Sequence, residues 1–113
     1  KKCKNKNWLG VVLACVSPEI IEKTIDEVKQ LDMPFGYKAN LWKIDEPLHH
    51  KAWMSTTYKT GTNPAEVMGT RDDYTDVRFF EFSKKMISKG ATILGGCCET
   101  KPAHIKKISI LKN

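Results

Sequence analysis

The sequence predicts an α/β domain with parallel strands. Short apolar, strand-like runs alternate with amphipathic helices along the whole chain. The first and last helices open on a hydroxyl and proline signal close behind the preceding apolar run. Cysteines stand at the ends of the first and the last of those runs, which marks where chemistry would sit. The 113 residues suit one small domain.

The first strand is expected in "WLGVVLACV", residues 8–16, a continuous apolar run of the kind that is covered on both faces of a parallel sheet. "SPEIIEKTIDEVKQLD" follows at once and predicts a helix. Ser17 can cap it, Pro18 suits its first turn, and Glu19 suits the positive end of the dipole. Ile21, Ile25, Val28 and Leu31 form the apolar stripe, with Ile20 beside it. "MPFGYKANLW", residues 33–42, reads as the second strand, with Pro34 tolerated only at its start.

Residues 43–73 read as a long connection dotted with aromatics and marked by the turn signal "GTNP". Trp42, Trp53 and Tyr58 are candidates to shape a lid there, or plain packing residues; His49 and His50 read as surface residues. "YTDVRFFEFSKKMISKG" predicts a second helix, with Val77, Phe80, Lys84 and Ile87 on its stripe, Phe79 and Met86 nearby, and Gly90 as its stop. "ATILGG" is a short third strand. "TKPAHIKKISILKN" is a last helix, capped by Thr100 with Pro102 in its first turn. Three βα units of this order make either a small open parallel sheet or one part of a larger barrel.

Composition narrows the function classes. Hydrophobic residues are 41% and charged residues 28%, so the chain folds rather than staying disordered. The net charge is +6, but nearly all of it is dispersed lysine; Arg71 and Arg78 are the only arginines. Nucleic-acid surfaces cluster their basic residues and favour arginine, so the lysines read as solvated helix faces and no nucleic-acid partner is expected. No apolar run approaches the roughly 20 residues of a membrane span, and "KKCKNKNW" is not a secretory leader. A cytoplasmic, non-membrane protein is the expectation. The first residue is not Met, so the chain is expected to be processed or excerpted from a longer protein.

Without an export signal the four cysteines are expected to be reduced. Cys3 lies in the basic leader. Cys15 ends the first strand, just before the Ser17 cap; Cys97 and Cys98 end the third strand, just before Thr100. The carboxyl edge of a parallel sheet is where α/β folds bind ligands. Three thiols can therefore converge there, and three thiolates suit Zn²⁺ with one coordination position left open. Consecutive strand residues face opposite ways, so Cys97 and Cys98 can share an ion only if the backbone leaves the pleat; Gly95 and Gly96 permit that. On the residues alone, a buried cysteine with an exposed neighbour is about as good a reading as a metal site.

The segment "GATILGGCCETKPAHIKKI", residues 90–108, resembles the C-terminal signature of the homocysteine S-methyltransferase family, in which Gly-Gly-Cys-Cys ends a strand and Pro-x-His-Ile opens a helix. "CVSPEII" resembles its earlier strand-end cysteine before Ser-Pro, and "YKAN" its Tyr-x-x-Asn. Ala14 stands where the family often has Asn, and Glu99, Thr100 and Lys101 replace a common Gly-Thr-Thr; these departures bear on subfamily and donor.

The resemblance implies a (β/α)8 TIM barrel of which residues 1–113 are the C-terminal portion, about three βα units, with the N-terminal part of the barrel absent. It implies zinc held by Cys15, Cys97 and Cys98, and zinc-dependent transfer of a methyl group to homocysteine to form methionine. Homocysteine and a small-molecule methyl donor are the implied partners. Asn40 would contact substrate or a ligand sulfur, or simply end its strand as a turn residue, the two readings being about equally good. The first turn of the last helix would offset charge on the thiolates, and His104 would pack or cap. A vicinal-thiol metal-binding or redox module on a small parallel sheet is the competing reading, and a basic binding module ranks behind both.

Overall fold

Strand β1 (Val11–Val16), helix α1 (Pro18–Lys29), strand β2 (Phe35–Ala39), helix α2 (Asp76–Ser88), strand β3 (Ile93–Gly96) and helix α3 (Pro102–Ser109) follow one another in the computed structural model, which describes residues 7–43, 66 and 68–112. The strands form one sheet in the order β1-β2-β3, and both pairings are parallel. The expected alternation is present, and the three strand ends carrying Cys15, Ala39–Asn40 and Cys97 lie along one edge.

Helix α1 forms as its sequence dictates. Ser17 Oγ accepts a hydrogen bond from the Ile20 N–H at 3.3 Å, and Ile21, Ile25 and Val28 are buried. Strand β2 is the centre of the sheet. Phe35, Tyr37 and Ala39 point from it into a core completed by Phe79, Phe82 and Met86 of α2, Tyr74, Ala91 and Ile108. By strand alternation the opposite face of the sheet carries Val12, Ala14 and Lys38, and all three are exposed. The helices thus cover one face of the sheet.

Helix α2 buries a different face from the expected one. Phe79, Phe82, Ser83 and Met86 are buried, whereas Val77 is 54% exposed and Ile87 is 37% exposed. The expected stripe would have carried the Lys84 ammonium inward. In the observed orientation Ser83 faces the core instead, and Tyr37 Oη donates to Ser83 Oγ at 2.6 Å. Tyr37 also meets Phe82 edge-on, at 5.1 Å between centroids, and Tyr74 packs on both Phe79 and Phe82. Those tertiary partners select the face. Along the solvent side, Lys85 pairs with Glu22 and Lys89 with Asp26, joining α2 to α1.

The ends of the connection between β2 and α2 are held together. Trp42 and Thr70 form an antiparallel bridge, the Lys43 N–H donates to the Gly69 carbonyl at 2.9 Å, and the Arg71 N–H donates to the Leu41 carbonyl at 2.8 Å. The Arg71 guanidinium grips both carboxylate oxygens of Glu19 at 2.7 Å and also bonds Asp73, which ties the return of this connection to the start of α1. Cys3, His49, His50, Trp53 and Tyr58 lie outside the described residues.

Helix α3 starts one residue later than expected, with Lys101 at the cap position. His104 takes the reciprocal role: its Nδ1 accepts from the Lys101 N–H at 2.9 Å. Nδ1 therefore carries the lone pair, and Nε2–H donates to the Tyr74 carbonyl at 2.8 Å. His104 is buried and joins α3 to the segment before α2, as expected of a packing and capping residue. No helix among the described residues is long and apolar enough to cross a membrane.

Candidate metal centre

Cys15 is positioned by a break in β1. Val11 to Ala14 pair regularly with Phe35 to Lys38, but Val16 pairs with Ala39, so Cys15 is an extra residue in a bulge. Its φ is 58°, in the left-handed region that a non-glycine residue rarely adopts. In an unbroken pleat Cys15 would follow Val11 and Leu13 towards the helices. The bulge turns it out to the sheet edge instead, where it is exposed.

Cys97 and Cys98 are positioned by a turn. The Cys97 N–H continues the ladder to the Ala39 carbonyl at 2.8 Å, and then the chain folds back. The Thr100 N–H donates to the Cys97 carbonyl at 3.3 Å, the Thr100 hydroxyl donates to the same oxygen at 2.6 Å, and Glu99 has φ 61°. A left-handed residue in that third position is what a type II turn requires. The glycines act otherwise than expected. Gly95 and Gly96 stay within β3, and neither has a positive φ. Gly96 instead supplies room: a Cβ there would stand 2.6 Å from the Cβ of Thr100. Thr100 closes this turn and does not cap α3.

The two devices bring the three sulfurs together. Cys15 Sγ and Cys97 Sγ are 2.8 Å apart, Cys15 and Cys98 3.6 Å, and Cys97 and Cys98 3.9 Å. Among the described residues, this is the group of ligating side chains that could hold a metal ion, with all three ligand atoms within 4.8 Å of one another. The end of β2 is the common support. The Leu41 N–H donates to the Cys98 carbonyl at 2.9 Å, and the Asn40 N–H to the Val16 carbonyl at 3.0 Å. Asn40, expected to contact substrate or a sulfur, spends its carboxamide on backbone: Nδ2 donates to the Cys15 carbonyl at 2.8 Å, and Oδ1 accepts from the Trp42 N–H at 3.3 Å.

The three thiols do not titrate alike. Burial pushes Cys98 up to about 12, reinforced by its bond with Cys15 and by charge on its neighbours. Burial also raises Cys15, and its contact with Cys97 adds to that. Burial acts in the same sense on Cys97, but its hydrogen bonding with Cys15 and Cys98, with the positive charge of Lys38, outweighs it and holds Cys97 below the ordinary thiol value. Lys38 escaped the sequence reading, although its outward place on β2, opposite Gly95, was legible from the strand period.

A family model described as homocysteine S-methyltransferase matches residues 1–111. The chain belongs to the homocysteine S-methyltransferase family. Neither a curated protein nor a solved structure matches it. Family membership suggests methyl transfer to a thiol, and the cysteine cluster falls in the segments that carried the resemblance.

Proposed function

We propose that this methyltransferase-family chain contributes to the transfer of a methyl group from a small-molecule donor to the thiol of homocysteine, forming methionine. A carbon–sulfur bond forms to the acceptor, the bond from the methyl carbon to the donor breaks with its electron pair leaving on the donor, and the acceptor's thiol proton is released. The observation that carries the proposal is the meeting of Cys15 with Cys97 and Cys98, 82 and 83 residues apart, at one sheet edge.

The donor set suits zinc. Tetrahedral zinc with sulfur ligands at about 2.3 Å requires sulfurs roughly 3.8 Å apart. Two of the three separations, 3.6 and 3.9 Å, already meet that, and the 2.8 Å pair would have to open. Cys15, Cys97 and Cys98 would hold the ion, which when bound makes a coordinated thiol acidic enough to be a thiolate at neutral pH. The chain's own contribution is placement. The bulge sets one sulfur, the turn sets two, and β2 fixes both by backbone bonds. The vicinal-thiol module fits less well, because the closest sulfurs are Cys15 and Cys97 rather than the adjacent pair.

We also propose that the three βα units are the C-terminal part of a (β/α)8 barrel, a fold of about 250 residues. The exposed second face of the sheet, with Val12 and Ala14, supports this as the side that a barrel interior would cover. A reducing compartment such as the cytoplasm suits three free thiols at this spacing.

Zinc content and methionine formation by the whole protein test the reading, with S-methylmethionine, S-adenosylmethionine, betaine and methylated folate or cobalamin as donors. One zinc per chain, and loss of both zinc and activity in Cys15→Ala, are the expected results. Full zinc retained in Cys15→Ala contradicts the three-cysteine site.

A further inference from the structure

We propose that Asn40 is a positioning residue for the cysteine cluster, holding Cys15 in the conformation that aims its sulfur at Cys97 and Cys98. The inference rests on the metal-site reading above. The bulge gives Cys15 a positive φ and shifts the ladder around it, so its carbonyl needs a donor that a regular strand would have provided. The Asn40 side chain is that donor, at 2.8 Å.

The carboxamide has one workable orientation. Its Oδ1 takes the Trp42 N–H, and its Nδ2 gives to the Cys15 carbonyl. Flipping it would set oxygen against oxygen at Cys15 and nitrogen against nitrogen at Trp42. The Asn40 backbone is fixed as well, through its N–H to Val16. Residues on either side of Asn40 hold the other two ligands, Ala39 through the Cys97 N–H and Leu41 through the Cys98 carbonyl. The end of β2 therefore sets the separation of the two cysteine-bearing segments, and Asn40 is the part that acts on Cys15. Outer partners of metal ligands typically change affinity by about 10–100-fold when removed.

The test compares the whole wild-type protein with Asn40→Ala and Asn40→Asp. The second variant keeps the size of the side chain and turns the donor into an acceptor. Zinc affinity is measured by competition with a chromogenic chelator, thiolate count from the charge-transfer band of the cobalt(II) form, and folding by circular dichroism. The proposal expects folded variants whose zinc affinity falls about 10–100-fold, with a cobalt band weakened towards two thiolates. Unchanged zinc affinity with a three-thiolate band in either folded variant overturns it, as does an effect confined to the acceptor KM. Unfolding of both variants overturns it too, since Asn40 would then serve the whole fold. If the wild type itself takes no zinc, the metal-site reading fails first; if the wild type takes zinc and the variants match it, only the role of Asn40 fails.

Discussion

Gly96 and Thr100 share one small space at the end of β3. The Thr100 hydroxyl donates to the Cys97 carbonyl at 2.6 Å, and its Cβ would lie 2.6 Å from any Cβ on residue 96. The turn that places Cys97 and Cys98 therefore depends on residue 96 having no side chain. Gly96→Ala should push Thr100 away, loosen the turn and weaken zinc binding on the order of 10-fold or more. Gly95→Ala should be tolerated, because its nearest neighbour would be the flexible Lys38 side chain at an ordinary 3.4 Å. Chelator competition on both variants checks the contrast. Equal effects at the two positions would contradict this account of the turn.

The core should respond to loss of its central aromatic ring. Phe79 is fully buried and touches Tyr37, Tyr74, Phe82 and His104. Phe79→Ala should cost about 3–5 kcal/mol, read from urea unfolding. Val77→Ala, on the side the sequence pattern favoured, should cost less than about 1 kcal/mol, because Val77 is mostly exposed. Reversal of that order would return the buried face of α2 to the one expected from the pattern.

Tyr37 and Ser83 supply a smaller, polar contribution. The Tyr37 hydroxyl is buried against Ser83 Oγ, and burial raises the phenol to about 12. Tyr37→Phe keeps the ring and removes the bond, and should cost about 1–2 kcal/mol by the same measurement. Ser83→Ala in the Tyr37→Phe background should add little, since the partner is already gone.

Acid stability should report the Arg71 clamp. Hydrogen bonds from Arg71 hold Asp73 down to about 2 from its ordinary 3.8, and the same guanidinium lowers Glu19. Carboxylates depressed in the folded state add stability above their ordinary values. That stability is lost as pH falls from about 4 towards 2. Both side chains are substantially exposed, so the contribution at neutral pH is at most about 1 kcal/mol. Arg71→Ala should flatten the fall in stability over that window, followed by urea unfolding at successive pH values. An unchanged slope would mean the clamp is formed in the unfolded chain too, or carries no weight.

The sequence made the edge of the sheet legible and left the local devices hidden. Alternating strands and helices place Cys15 and Cys97 at equivalent strand ends, and in a parallel sheet those ends share one edge, so their meeting could be reasoned from order alone. The left-handed Cys15 had no such signal, because neither a glycine nor a proline marks the bulge. Helix α2 was ambiguous for a different reason. Phe79, Phe80 and Phe82 surround much of its circumference, so periodicity could not choose a face until Tyr37 and Tyr74 supplied partners. Thr100 misled because a hydroxyl just before a helix can cap the helix or close the preceding turn, and only the position of the Cys97 carbonyl decides between them. Asn40 was conspicuous as a polar residue ending a strand, but its partner lies across the sheet at Cys15.

Zinc X-ray absorption on the whole protein tests the central claim most directly, because it counts sulfur neighbours. The account predicts three sulfurs at about 2.3 Å without acceptor, and a fourth when homocysteine is added. Two or fewer sulfurs in the free protein, or a sulfur count that homocysteine leaves unchanged, would contradict it.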